Sequence, residues 1–183
     1  MLRSLLLLTL LALATWLNGQ YTATVKTNAS NSTSRTWRAW SNEAVAVNYP
    51  GGWMTEVSGG PGTVVRFFAP LDTSITIGGK VELTNEQIGE MSLADFMLRK
   101  KDEVKTQVQD GHLIGGVAQR EADEESQILE YTGTVNGVEM HFRQTVRINK
   151  GKAFLLTYSA PDELYDEYLF MAEAMFGSFR LLP

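Results

Sequence analysis

Glu139 and His141 stand two residues apart in a run where apolar and polar side chains alternate: Val138, Met140, Phe142, Val146 and Ile148 against Glu139, His141, Arg143, Thr145 and Arg147. In a strand, residues two apart share a face, so the carboxylate and the imidazole would point the same way. Together they could give two ligands to zinc or manganese. Two are too few for a site, and an exposed histidine on a polar strand face is the plainer reading. His112, the other histidine, follows Gly111 at the start of a separate strand. Asp123, Glu124 and Glu125 crowd three carboxylates into a turn. Calcium takes several such oxygens, but the spacing of an EF-hand loop is missing, and a solvated acidic turn is the plainer reading. Trp37, Arg38 and Trp40 form an aromatic and basic cluster that would either dock a partner or cover an edge of the domain.

The rest of the inventory mostly excludes. The 183 residues hold no cysteine, which removes disulfides, thiolate nucleophiles, cysteine-ligated zinc and thioether lipid anchors together. No G-x-S-x-G elbow is present. The clusters at Gly51-Gly52 and Gly59-Gly60-Pro61-Gly62 are not followed by Gly-Lys-Ser/Thr, so they read as turns and not as phosphate loops. Lys and Arg number 16 against 21 Asp and Glu, a formal net charge of -5. That balance argues against nucleic acid, which needs a basic surface to release phosphate counterions. The residues favour a binding or structural module with no catalytic set.

The elements that would carry these side chains come in a clear order. Residues 1–19 read as an export signal: Arg3, an apolar run from Leu5 to Leu11, and Ala12-Leu13-Ala14 as a cleavage pattern. The run is shorter than the roughly 20 residues that span a bilayer. Residues 20–41 are rich in Thr, Ser and Asn and read as a flexible tether, with the folded domain occupying 42–183. Residues 45–49 and 64–68 read as strands, and 73–83 alternates with Ile75, Ile77, Val81 and Leu83 on one face. Ser92, with Asp95 three residues on, caps a helix whose apolar stripe is Leu93, Phe96, Met97, Val104 and Val108. A meander follows. Asn136-Gly137 is a two-residue hairpin signal that sets Val135 against Val138, Tyr131 against Phe142, Glu130 against Arg143 and Thr132 against His141. Asn149-Lys150-Gly151 reads as a three-residue loop.

The C-terminal stretch orders the whole. Ala153-Phe154-Leu155-Leu156 is apolar on both parities, as in a strand covered on both faces. Pro161 would open a helix with Asp162 and Glu163 in its first turn, Gly177 would stop it, and residues 178–181 would leave extended.

This order resembles the PsbP family. Val45-Ala46-Val47-Asn48-Tyr49-Pro50-Gly51-Gly52-Trp53 is similar to its opening, and Leu156-Thr157-Tyr158-Ser159-Ala160-Pro161 with Phe176-Gly177-Ser178-Phe179-Arg180 to its ending. The resemblance implies an α+β chain folded as an α/β/α sandwich with a central antiparallel β-sheet. It implies an exported, non-catalytic, extrinsic binding or assembly factor of a membrane complex, of photosystem II type in a photosynthetic host. No cofactor is required; an associated ion would be calcium, as the resemblance implies, or the manganese or zinc of the Glu139 and His141 reading. The alternative is a DcrB-like periplasmic envelope protein that binds a small ligand, or a weak hydrolase. The expected compartment is the periplasm, the thylakoid lumen or the extracellular space. The expected partner is a membrane complex or an envelope protein, with no transmembrane segment in the mature chain. The lipid-anchoring cysteine common among cyanobacterial members is absent.

Overall fold

The computed structural model describes residues 36–57, 59–71, 78–121 and 124–183. The export signal, most of the tether, Ile75, Ile77 and Asp123 lie outside them, as do the side chains of Glu124 and Glu125. The elements are β1 (Trp37–Ser41), β2 (Val45–Pro50), β3 (Met54–Glu56), β4 (Thr63–Phe68), β5 (Lys80–Gln87), α1 (Leu93–Gln107), β6 (His112–Glu121), β7 (Glu124–Val135), β8 (Val138–Asn149), β9 (Lys152–Pro161), α2 (Tyr165–Ser178) and β10 (Arg180–Leu181). Among the described residues seven strands form one sheet in the order β3-β4-β5-β9-β8-β7-β6, and β1-β2-β10 form a second. Every pairing among the described residues is antiparallel.

The apolar run at β9 is explained by two cores. Ala153 and Leu155 join Leu129 and Val146 beneath Phe96, Met97 and Val104 of α1. Phe154, Leu156 and Tyr158 face the opposite way, with Val65, Phe67, Val81 and Leu83, beneath β2 and the Ala172, Met175 and Phe176 stripe of α2. The large sheet thus has α1 on one face and α2 with the small sheet on the other, the α/β/α layering expected. Ser92 caps α1 as the sequence indicates: its Oγ accepts from the Asp95 amide at 3.1 Å and donates to the Asp95 carboxylate at 2.6 Å. The β7–β8 register is also as read from the Asn-Gly turn, down to Tyr131 against Phe142 and Thr132 against His141. Asn136 and Gly137 both take positive φ, 51° and 79°, as a primed hairpin turn requires.

Five features depart from the sequence reading. First, β1 begins at Trp37, so ordered sheet starts before the expected boundary at residue 42; residues 37–41 pair along β2. Second, the strand expected to end at Leu83 runs on to Gln87, because β9 offers partners that far. Third, the 149–151 loop is tighter. Asn149 pairs with Lys152, leaving Lys150 and Gly151 as a two-residue turn with φ of 49° and 73°. Fourth, Pro161 closes β9 opposite Met140, with ψ at 140°, and α2 starts only at Tyr165 after a 3-10 turn over Asp162–Leu164. Proline fixes φ but leaves ψ to its surroundings, and here the ladder sets it. Fifth, α2 runs through Gly177 to Ser178. Ser178 ties the helix end to β2: its Oγ accepts from the Asn48 amide at 2.9 Å and donates to the Met175 carbonyl at 2.8 Å.

Candidate functional site

His141 sits opposite Ala160 in the β8–β9 ladder, just before the chain leaves β9 for α2. The short 3-10 turn then folds back over the strand. It brings Tyr165, the first residue of α2, flat onto the imidazole at 3.5 Å between ring centroids and 6° between planes. The same turn sets Asp162 Oδ1 3.2 Å from Nδ1. From the other side Glu130 of β7 places Oε1 3.0 Å from Nε2. Glu130 also accepts from Arg143 Nη1 at 2.7 Å and from the Tyr165 hydroxyl at 3.3 Å. Arg143 Nη2 lies 3.4 Å from Glu173 on α2.

A neutral imidazole has one N–H, whereas both nitrogens here face carboxylates; only the imidazolium donates to both. Burial, and then the Glu130 charge, hold the Tyr165 phenol well above its usual ionisation range. Tyr165 therefore acts as a hydrogen-bond donor and not as a base. These groups are spent on one another, and what they do is fasten the start of α2 to β7 and β8.

The metal pair of the sequence reading has a different geometry. Glu139 is exposed and opposite Thr134; the carboxylates that reach His141 are Glu130 and Asp162. Among the described residues no group of three or more His, Asp or Glu side chains is arranged to hold a metal ion. A cation at Glu139 and His141 would have to take a ring nitrogen from a carboxylate already on it. His112 lies at the start of β6 in line with His141, with Thr132 between them in the ladder. Two strand spacings put their backbones about 10 Å apart. Sequence reasoning missed Glu130, Asp162 and Tyr165 as partners of His141. The register did place Glu130 diagonal to His141, but nothing local in the sequence folds residues 162–165 back onto β8.

The aromatic cluster is split by the strand it forms. Trp37 is 43% exposed and Arg38 is exposed, while Trp40 turns inward and meets the Phe67 ring edge-on at 6.4 Å. Among the described residues β1 has a neighbouring strand on one side only. Trp37 and Arg38 thus stand on an open sheet edge.

Comparison with solved structures places this architecture. The chain is similar to the cyanobacterial PsbP, CyanoP, of Synechocystis sp. PCC 6803, with a TM-score of 0.60 at 17% identity over 86% of this chain and 99% of that one. The fold is PsbP-like. LpqN of Mycobacterium tuberculosis, involved in cell envelope biogenesis, matches with a TM-score of 0.57 at 15% identity, over 81% of this chain and 91% of LpqN. A Pseudomonas aeruginosa protein of unknown function gives 0.54 at 13%, over 80% and 96%. No family model matches the chain, and no curated protein does. No helix among the described residues is long and apolar enough to cross a membrane.

This PsbP-like domain has a second polar region, on the α1 face of the sheet. A cavity of about 140 Å³ opens there between α1 and strands β5, β7, β8 and β9. Two ion-pair groups border it, with Lys80, Glu82, Glu86, Lys100 and Glu103 in its lining and Arg66, Glu56 and Arg99 paired to them. In one, Arg66 Nε meets Glu82 at 2.8 Å, Lys80 meets Glu82 at 2.9 Å, and Arg66 Nη1 meets Glu56 at 3.4 Å. In the other, Arg99 and Lys100 of α1 bridge Glu86 and Glu103 at 2.6–3.7 Å.

Burial alone would raise the Glu82 carboxyl, but Lys80 and then Arg66 outweigh it and hold it below the usual value of 4.5. A depressed folded value means the stabilisation is whole above that pH and is lost as pH falls below it. Burial raises the Tyr131, Tyr158 and Tyr165 phenols, so on the alkaline side stability falls as pH climbs past about 10. The expected thermal midpoint is therefore flat near neutrality and drops on both flanks. In Glu82→Gln the acid drop should be shallower, measured by thermal melts from pH 7 to 3. An identical acid slope in the variant would remove Glu82 from this account.

Proposed function

We propose that this chain is an exported, non-catalytic binding module that docks as an extrinsic subunit on a membrane complex or envelope partner. The observation that carries this is the open edge at β1, where Trp37 stands 43% exposed beside Arg38 although Trp40, three residues on, is drawn into the core. Trp37 and Arg38 lie on the two faces of this edge strand, and both are residue types enriched at the anchors of protein interfaces. The export-like N-terminus supports the compartment. So do two fold neighbours, a cyanobacterial PsbP and a protein involved in cell envelope biogenesis. In a photosynthetic host the complex would be of photosystem II type. The engagement of His141, Glu130, Arg143 and Tyr165 with one another fits a role without catalysis.

The test is recovery of partners from the host's own membranes by the tagged mature chain. One complex should be retained at low salt, released at high salt, and lost with the Trp37→Ala/Arg38→Ala double variant, which should melt with the wild type. Equal recovery by the double variant, or recovery of nothing by the wild type, would overturn the reading.

A further inference from the structure

We propose that the cavity beside α1 binds a small uncharged molecule with one polar and one apolar edge. This site is independent of β1 and of the docking role. Part of its wall carries neutral hydrogen-bonding groups, Gln144, Thr157 and Ser159; the charged lining residues Lys80, Glu82, Glu86, Lys100 and Glu103 are paired with one another or with Arg66 and Arg99. Gln144 and Ser159 are 9% and 5% exposed, and Gln144 Nε2 donates to Thr157 Oγ1 at 2.7 Å, which fixes the amide's orientation. Beside them on the same sheet face lie Leu129, directly across from Gln144, and Leu155, and Val104 of α1 covers these apolar side chains. Cavities of this volume hold a ligand of about six non-hydrogen atoms, the size of benzene.

The charge arrangement selects against ions. Each flanking group holds two cations and two anions, Arg66 and Lys80 with Glu56 and Glu82, Arg99 and Lys100 with Glu86 and Glu103. Each is therefore neutral as a unit. A ligand with net charge would have to break one of these pairs or enter a partly buried space uncompensated, and either is costly. A neutral ligand bearing hydroxyl or amide groups does neither. It sets those groups on the Gln144–Thr157–Ser159 wall and its carbons on the Leu129 side.

Three compounds sharing one four-carbon skeleton test this: 1,2-butanediol, 2-hydroxybutyrate and 1-amino-2-butanol, which are neutral, anionic and cationic at pH 7. Saturation-transfer NMR on the whole chain should show binding of the diol and not of its two charged counterparts. Gln144→Leu and Ser159→Val should each weaken diol binding about fivefold, the loss expected for one hydrogen bond. Shift perturbation of the labelled wild type does not depend on whether those variants fold. The diol should move the amides of Gln144, Thr157 and Ser159. No binding, equal binding of all three compounds, undiminished binding to folded variants, or perturbations elsewhere would each overturn the proposal.

Discussion

Trp40→Ala should lower the thermal midpoint by roughly 5–10 °C, while Trp37→Ala leaves it within about 1 °C of the wild type. The two side chains are three residues apart on one short strand, so composition and local propensity cannot separate them. Their surroundings do. Trp40 packs on the large core, edge-on to Phe67, which is itself fully buried beside Tyr49 and Val65. Truncating a half-buried indole removes about 2–3 kcal/mol of apolar burial and leaves a gap that Phe67 can only partly fill. Among the described residues Trp37 is not part of that core, and surface substitutions of its kind stay within about 0.5 kcal/mol. It follows that deleting the chain through residue 40 would remove β1 and damage the fold. Deletion only to residue 36 would spare it. Differential scanning fluorimetry of the two point variants decides the matter. Equal midpoints would mean that Trp40 contributes no more than Trp37, and β1 would then be dispensable to the core.

The hairpin between β7 and β8 was legible because Asn136-Gly137 admits few turn types and the turn type sets the register. Glu130 against Arg143 followed from that alone. The double burial of β9 was legible from its unbroken apolar run, and the Ser92 cap from its spacing to Asp95. Where reading failed, the deciding contact was distant in sequence. Pro161 is compatible with a helix start and with an extended strand end, and the ladder with Met140 decides between them. The expected tether boundary hid β1, although Trp37, Ala39 and Ser41 alternate with Arg38 and Trp40. Its strand partner is β2, and a neighbouring Ser/Thr-rich run gives no sign that pairing resumes. Thr145 and Arg147 were expected to face water; they are 4% and 5% exposed because the α2 layer and Phe179 cover that face, and the Arg147 guanidinium lies 5.5 Å from the Phe179 ring centre. An amphipathic strand pattern shows that two faces differ. It does not show that the polar one is wet.

The largest polar effect should come from Glu130→Gln. Glu130 is the one residue that accepts from His141, Arg143 and Tyr165 together, so it joins β7, β8 and the start of α2. Its side chain is 21% exposed, which leaves solvent too little access to replace the lost charge. Gln keeps the shape and one acceptor oxygen, but its amide nitrogen must face a donor, and Arg143 loses a charged partner at 2.7 Å. Hydrogen bonds to charged groups contribute about 1.5–3 kcal/mol each, so a net loss of about 2 kcal/mol is reasonable, or roughly 4–8 °C in midpoint. Stability alone would not distinguish this from any core lesion. Tyr165 supplies the distinguishing readout. Burial and the Glu130 charge both hold its phenol high. Removing the charge should move its ionisation downward, still above that of an exposed tyrosine because burial remains the larger cause. Ultraviolet titration of Glu130→Gln, with Tyr165→Phe to assign the signal, measures this directly. A destabilised variant whose Tyr165 titrates unchanged would mean that Glu130 supports the fold through Arg143 and not through the ring stack on His141.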